Sequence, residues 1–492
     1  MRPNVILITT DQQRYDTLHC NGSKFMKTPN LDRLADMGLR FERGYCANPV
    51  CTPSRVSIMT GMLPSRHGSY NIGTVTDKQD IFLSSILREQ GYRTHHIGKA
   101  HFYPSDVPSE ENRPIEGMKP FENFAGFQTA ELTIGHNDWG ITGHYKEWLK
   151  SKGYDKEKAS KDFHVELLLK KDTYATGELE LPLEYHSSSW IVDRVENFLT
   201  RLEPEQPFFL NIGFQDPHHP HILPKNFNNR LSMDEIPMPT KTFDPSLEHL
   251  KELSQGTIEG SRFAGKYKIA GNQDTIWNEY FKDTNKTATT RRHYYSMVQL
   301  LDEQIGKIMD LLAEKELLSN SIIVFTSDHG EMLGDHGIGQ KGPVAFEEVI
   351  RVPLIVAYPK KIKPQVVSEC VSLMDLYPTI LDYIDLEIPK SCDGRSLKKL
   401  VESGLNDRIG IPVEFTEEKD AIRYRCFVTK DWKLVVYPGE EFGELYHLSE
   451  DPGENNNLYY DTAYSEIKFD LMKKWLEDMK FNEPMNLRPS RC

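Results

Sequence analysis

The chain has 492 residues, 38% hydrophobic and 27% charged, with a formal net charge of -14. That composition excludes a disordered or fibrous chain, and the length implies one large domain with a smaller companion. An acidic surface argues against nucleic acid or an anionic membrane as partner, so any anionic ligand needs a local basic pocket.

The first element is the apolar run 5–8, directly after Met1-Arg2-Pro3-Asn4. It is too short for a signal core or a membrane span and reads as a buried strand, ending at Thr9-Thr10-Asp11-Gln12. The expected location is cytoplasmic, or periplasmic or secreted if a signal has been removed. Seven scattered cysteines without a CxxC spacing argue against a disulfide framework or a zinc knuckle.

The next element is a loop that delivers a thiol to a helix. Asn48-Pro49 marks a turn, Pro53 suits a first helical turn, and Val56, Met59 and Leu63 are expected to share one buried face. Cys51 therefore falls at a helix N-terminus, where free N–H groups favour a thiolate and a tetrahedral anion. Arg55 adds a planar donor fork beside it.

Further along, a helical pattern at 81–90 leads to a strand at 94–98 ending in Lys99-Ala100-His101. A strand at 208–214 ends in Asp216-Pro217-His218-His219. A long helix over 294–312 precedes a strand at 322–325 that ends in Asp328-His329-Gly330. This alternation predicts an α/β fold: a large mixed, mostly parallel sheet sandwiched by helices. Ligands in such sheets bind beyond the carboxyl ends of the strands, so four polar strand ends predict one convergent site. The aromatic group Trp139, His144, Tyr145 and Trp148, and Tyr185-His186 before Trp190, reads as core rather than pocket. Residues 1–405 form the expected catalytic domain. Residues 406–492 form a smaller α+β subdomain, with strands at 424–428 and 433–437 and a helix at 464–479.

Cys51-Thr52-Pro53-Ser54-Arg55 followed by Thr60-Gly61 resembles the signature of the type I, formylglycine-dependent sulfatases of the alkaline-phosphatase superfamily. Gly91-Tyr92-Arg93-Thr94 through His101 is similar to the second signature, and Pro217-His218-His219-Pro220 to the histidine motif. Asp328-His329, the run from Leu333 to Lys341, and Asp375-Leu376-Tyr377-Pro378-Thr379 also match in chain order. Gln12 and His329 stand where many relatives have aspartate and asparagine. In that respect the chain also resembles the phosphonate monoester hydrolases and choline-sulfatase-like enzymes of the superfamily.

The resemblance implies a hydrolase of a sulfate monoester, whether a sulfated carbohydrate, an aryl sulfate or choline sulfate; the alternative is a phosphonate monoester or phosphodiester hydrolase. It implies a maturating enzyme that converts Cys51 to formylglycine, whose hydrate is the nucleophile. It also implies one divalent metal at Asp11, Gln12, Cys51, Asp328 and His329. Calcium is the family's usual ion, and an imidazole ligand moves preference toward Mn²⁺, with Mg²⁺ also open. Lys99 and Lys341, with Arg55, would form the basic pocket around the sulfuryl oxygens. His218 would protonate the leaving alcohol, and His101 would be the base that regenerates the aldehyde. His336 is expected at most to support its loop. A homo-oligomer is left open. A non-catalytic anion-binding protein is the remaining reading, should Cys51 never be oxidised.

Overall fold

The computed structural model describes all residues except 1, 106–107, 137–138, 155–175, 180, 225–226, 228–230, 240–278, 407, 418–421 and 480–492. Among the described residues ten strands form the main sheet. In chain order these are β1 (Asn4–Thr10), β2 (Gly38–Tyr45), β3 (Arg93–Gly98), β4 (Phe121–Phe124), β5 (Phe127–His136) and β6 (Trp139–Gly143). After β7 (Thr176–Leu179) come β8 (Phe208–Gly213), β9 (His221–Pro224), β10 (Ser321–Ser327), β11 (Arg351–Ala357) and β12 (Gln365–Ser372). The main sheet has the spatial order β12-β2-β11-β10-β1-β8-β3-β5-β4, with β6 beside β5, and the pair β7 and β9 makes a separate two-stranded parallel sheet.

The centre is parallel: β1 pairs with β10 and β8, and β3 with β8 and β5. β11 runs antiparallel to both β10 and β2, which makes the sheet mixed, as expected. Successive side chains of β1 alternate between two cores: Val5 and Leu7 in one, Ile6 and Ile8 in the other. An apolar run buried on both faces is what a central parallel strand requires. Tyr145, Trp148 and Trp190 pack into the second core, with Tyr145 and Trp190 rings 5.6 Å apart. These aromatics are core, as expected; the Trp139 side chain lies outside the described residues.

The helix Cys51–Thr60 corrects one expectation. Every residue in it is buried, so it has no solvent face, and Leu63 lies beyond its left-handed Gly61 cap. It is wedged between the main sheet and the later chain, and all-round burial replaces the amphipathic stripe.

The C-terminal strands β13 (Ile411–Thr416), β14 (Arg423–Val428), β15 (Trp432–Val436) and β16 (Gly443–His447) form an antiparallel meander. The helix Ser465–Met479 follows, stacking Trp475 on Phe427 at 5.6 Å. Among the described residues no helix is long and apolar enough to cross a membrane.

Candidate active site

Asp11 and Asp328 are the first residues beyond β1 and β10, which pair in register up to Thr10 and Ser327. The backbone of Asp11 donates to the Asp216 carbonyl at 3.1 Å, and Asp328 to the Thr10 carbonyl at 3.2 Å. Parallel strands ending level therefore deliver both carboxylates to one point. Lys99 follows β3, and its N–H donates to the Gly213 carbonyl at 2.7 Å. That close approach needs glycine at Gly213, because a Cβ there would collide with the Lys99 carbonyl.

Cys51 is fully buried at the helix N-terminus, with Sγ 3.1 Å from His329 Nε2 and 3.6 Å from Asp11 Oδ1. Lys341 Nζ lies 3.1 Å from the same sulfur and donates to Gln12 Oε1 at 2.7 Å. Burial and Asp11 push the Cys51 thiol up, but Lys341, Lys99 and His329 outweigh them and bring it well below its ordinary value. The Asp11 carboxyl is likewise held low: burial raises it, and Lys99, Arg55 and Lys341 more than offset that. For Lys341, burial is outweighed by Cys51, Asp11 and Asp328, so its ammonium is held more firmly than usual. The site thus keeps opposite charges ionised at close range.

Arg55 braces the carboxylates of two strand ends. Its Nε donates to Asp328 Oδ2 at 2.8 Å, its Nη2 to Asp11 Oδ2 at 3.1 Å and its Nη1 to the Lys99 carbonyl at 3.2 Å. The fork spans three strand ends, which a lysine would not match. Lys99 Nζ pairs with Asp11.

The atoms offered by Asp11, Cys51, Asp328 and His329 all lie within 4.8 Å of one another. His329 Nδ1 lies 2.9 Å from the Gly330 carbonyl, so that nitrogen carries a proton; burial and Lys341 push the imidazole down, Asp328 and Cys51 outweigh them and raise it, and with a cation bound Nε2 would turn its lone pair to the cluster. Two carboxylates and an imidazole so arranged fit a divalent cation.

Three residues at the site adopt left-handed backbone conformations: Gln12 (φ 67°), His101 (φ 55°) and Gln340 (φ 63°). Such non-glycine positions cost about 1–3 kcal/mol each and persist only where neighbours hold them. Gln12 donates its N–H to Asp328 Oδ1 at 3.0 Å and accepts the Tyr294 hydroxyl at 2.7 Å. Gln340 donates to Glu331 Oε1 at 2.5 Å.

The remaining expected residues sit on adjoining loops. His101 follows Lys99, and its field is felt by the buried Glu111, which accepts the Phe102 N–H at 2.5 Å. His218 stacks on His219 with ring centres 4.0 Å apart. His219 is driven well below its ordinary value by burial and then by Lys341, which sets it in the field of the site. His336 stacks on Phe346 at 4.0 Å.

Glu331 escaped the reading of the sequence. Fully buried, it accepts N–H groups from Leu333 and Gln340, and the Gln12 side-chain amide donates to it. Its place three residues after Asp328 was the available signal. Arg14 was missed too; it donates to Asp335 Oδ2 at 2.7 Å and to the Glu331 and Met332 carbonyls.

A family model described as Sulfatase matches residues 3–386, and one described as N-sulphoglucosamine sulphohydrolase, C-terminal, matches 334–481. An arylsulfatase of Clostridium perfringens is 30% identical, over 97% of this chain and 94% of its own. A phosphonate monoester hydrolase structure from Agrobacterium radiobacter superposes with a TM-score of 0.79 at 24% identity, covering 98% of this chain and 96% of its own. A structure described as in complex with its substrate D-glucosamine-2-N,6-O-disulfate superposes at 0.72 and 24% identity, covering 98% of each chain. The fold is therefore alkaline-phosphatase-like, as expected.

Proposed function

The chain belongs to the sulfatase family, and from that premise we propose that it cleaves a sulfate monoester by attack on sulfur from the position of Cys51. The observation that carries this reading is the meeting of the Cys51 sulfur, Lys341 Nζ and His329 Nε2 within 3.1 Å contacts at a buried helix N-terminus. Conversion of Cys51 to formylglycine would supply an aldehyde hydrate as nucleophile. A divalent ion held by Asp11, Asp328 and His329, with Gln12 beside it, would polarise a sulfuryl oxygen.

The chain's own groups divide the remaining work. Lys99 and Lys341 hold the sulfuryl oxygens by charge beside a buried cluster, where a fixed donor counts for more than in solvent. Arg55 acts through the carboxylates: it holds Asp11 and Asp328 at their separation, and with Lys99 it keeps Asp11 ionised. His218 gives a proton to the departing alcohol oxygen, and His101 accepts the proton that must leave the nucleophile's position before the next turnover. The division at 405/406 remains our proposal for the domain boundary, supported by the separate meander beginning at Ile411.

A phosphonate monoester or phosphodiester is the second reading. Gln12 and His329 favour it, as the two departures from the usual pattern in which the chain resembles the phosphonate monoester hydrolases, one of which shares its fold. The deciding experiment is a substrate panel of aryl sulfate, sulfated hexosamines, choline sulfate and a phosphonate monoester, run on matured enzyme, with Cys51→Ala as control. Intact mass reports conversion, since replacing sulfur by oxygen lowers the mass. Turnover of sulfate esters that vanishes in Cys51→Ala is expected. A phosphonate preference would favour the second reading, and wild-type rates in Cys51→Ala would end both.

A further inference from the structure

The loop between β10 and β11 carries Lys341, yet part of what fixes it belongs to the C-terminal meander. Its base is closed on itself: Gly330 N–H donates to the Val349 carbonyl at 2.7 Å, and Glu331 N–H to the Glu348 carbonyl at 3.0 Å. The half before Lys341 is held from inside the main domain, by Glu331 on Leu333 and Gln340 and by Arg291 on the Leu333 carbonyl at 3.0 Å. The half after Lys341 turns its carbonyls to the small sheet. Tyr424 of β14 donates its hydroxyl to the Val344 carbonyl at 3.1 Å. Lys433 of β15 donates Nζ to the Ala345 carbonyl at 2.6 Å.

Lys433 is fully buried, an expensive place for an ammonium unless every donor is used. It is paired with Glu454 and lies 3.5 Å from Glu347 Oε1. Glu454 in turn accepts the Glu347 N–H at 2.7 Å, so one buried ion pair grips the loop at Ala345 and Glu347 together. The path back to Lys341 is short and stiff. Pro343 has a fixed φ, and Val344 N–H closes a tight turn onto the Gly342 carbonyl at 2.8 Å. Phe346, between the gripped residues, stacks on His336 from the other half of the loop.

We infer that Lys433, with Glu454, is a positioning residue for the transfer step: it sets where Lys341 Nζ stands against Cys51 and Gln12. The inference rests on the role of Lys341 proposed above. The C-terminal meander thereby supports the active site through the backbone of the Lys341 loop. A displacement of about 1 Å at a reacting group reduces rate by up to roughly 10²-fold, so a clamp at this remove has leverage on kcat.

The test is a double-mutant cycle on the matured, metal-loaded enzyme with an aryl sulfate. Lys433→Met removes the ammonium at similar length, and Lys341→Ala removes the group it is inferred to position. The expected result is a fall in kcat of roughly tenfold to 10²-fold for Lys433→Met, with a smaller change in KM. The Lys341→Ala/Lys433→Met enzyme should be no slower than Lys341→Ala alone, because a purely structural role would penalise both backgrounds equally. Independent penalties that multiply, or a wild-type kcat in Lys433→Met, would overturn the inference. Should Lys341→Ala itself retain wild-type rate, the proposed role of Lys341 fails and takes this inference with it. If Lys433→Met does not fold, Tyr424→Phe deletes only the hydroxyl on the Val344 carbonyl. In that cycle, a lowered kcat absent from the Lys341→Ala background supports the inference, and multiplying penalties or a wild-type kcat overturn it.

Discussion

Arg55→Met should make the metal-free protein much less stable and yet bind a divalent cation more tightly. Arg55 is 4% exposed and bonds Asp328 at 2.8 Å and Asp11 at 3.1 Å. Methionine keeps most of the side-chain volume and removes the charge, leaving two buried carboxylates short of a counter-ion. Removing one member of a buried ion pair costs about 3–5 kcal/mol. With a divalent ion seated between the same carboxylates, their charge is compensated, and the remaining loss is about 1–3 kcal/mol for the hydrogen bonds themselves. The penalty therefore shrinks by roughly 2 kcal/mol on metal loading. By reciprocity that difference must appear as roughly 30-fold tighter ion binding in the variant. Urea unfolding of both proteins in chelator and in saturating Ca²⁺ or Mn²⁺, with calorimetric titration of the ion, measures both sides. An equal penalty in the two conditions, or weaker ion binding by the variant, would refute the assignment of these carboxylates to a metal.

Three other outcomes are expected. Lys99→Ala should lower the rate on the order of 10²–10³, the usual consequence of losing one fixed charge donor; steady-state kinetics reads this directly, and a loss under tenfold would remove Lys99 from the sulfuryl clamp. His218→Ala should slow esters of sugar alcohols far more than aryl esters, whose leaving groups need little protonation; a Brønsted plot against leaving-group acidity, flat for the variant relative to wild type, would contradict the acid role. Stability should fall on acidification because His67, His96 and His221 are each depressed by burial to about 3. Their folded-state values lie below the ordinary 6.5, so the unfolded chain takes up protons first; the stability they confer is present above pH 6.5 and lost as pH falls toward 3. At pH 5 that amounts to about 2 kcal/mol per histidine. His67→Gln should remove about a third of this pH dependence in chemical denaturation, and an unchanged slope would show that His67 titrates normally.

What the sequence determined by itself was the chemistry and its local frames. Apolar runs such as 5–8 and 322–325 could only be central strands, because nothing polar interrupts them and both faces must be buried. Strand ends carrying Asp11, Lys99 and Asp328 then had to converge, since parallel neighbours finish level at one edge. The turn and proline around Cys51 marked a helix start, and the structure begins that helix at Cys51. Tertiary structure decided what each charge is for. Arg55 reads in sequence as a pocket donor and becomes a brace, because only folding brings two carboxylates from strands 317 positions apart onto its fork. Glu331 carries only its spacing of three from Asp328 as a mark in the sequence and Arg14 none, since holding a loop by its backbone leaves no residue pattern. The grip of Lys433 and Glu454 on the Lys341 loop was equally illegible. Its partners are main-chain carbonyls and N–H groups, which every residue possesses, so only the packing of the small sheet against that loop selects them.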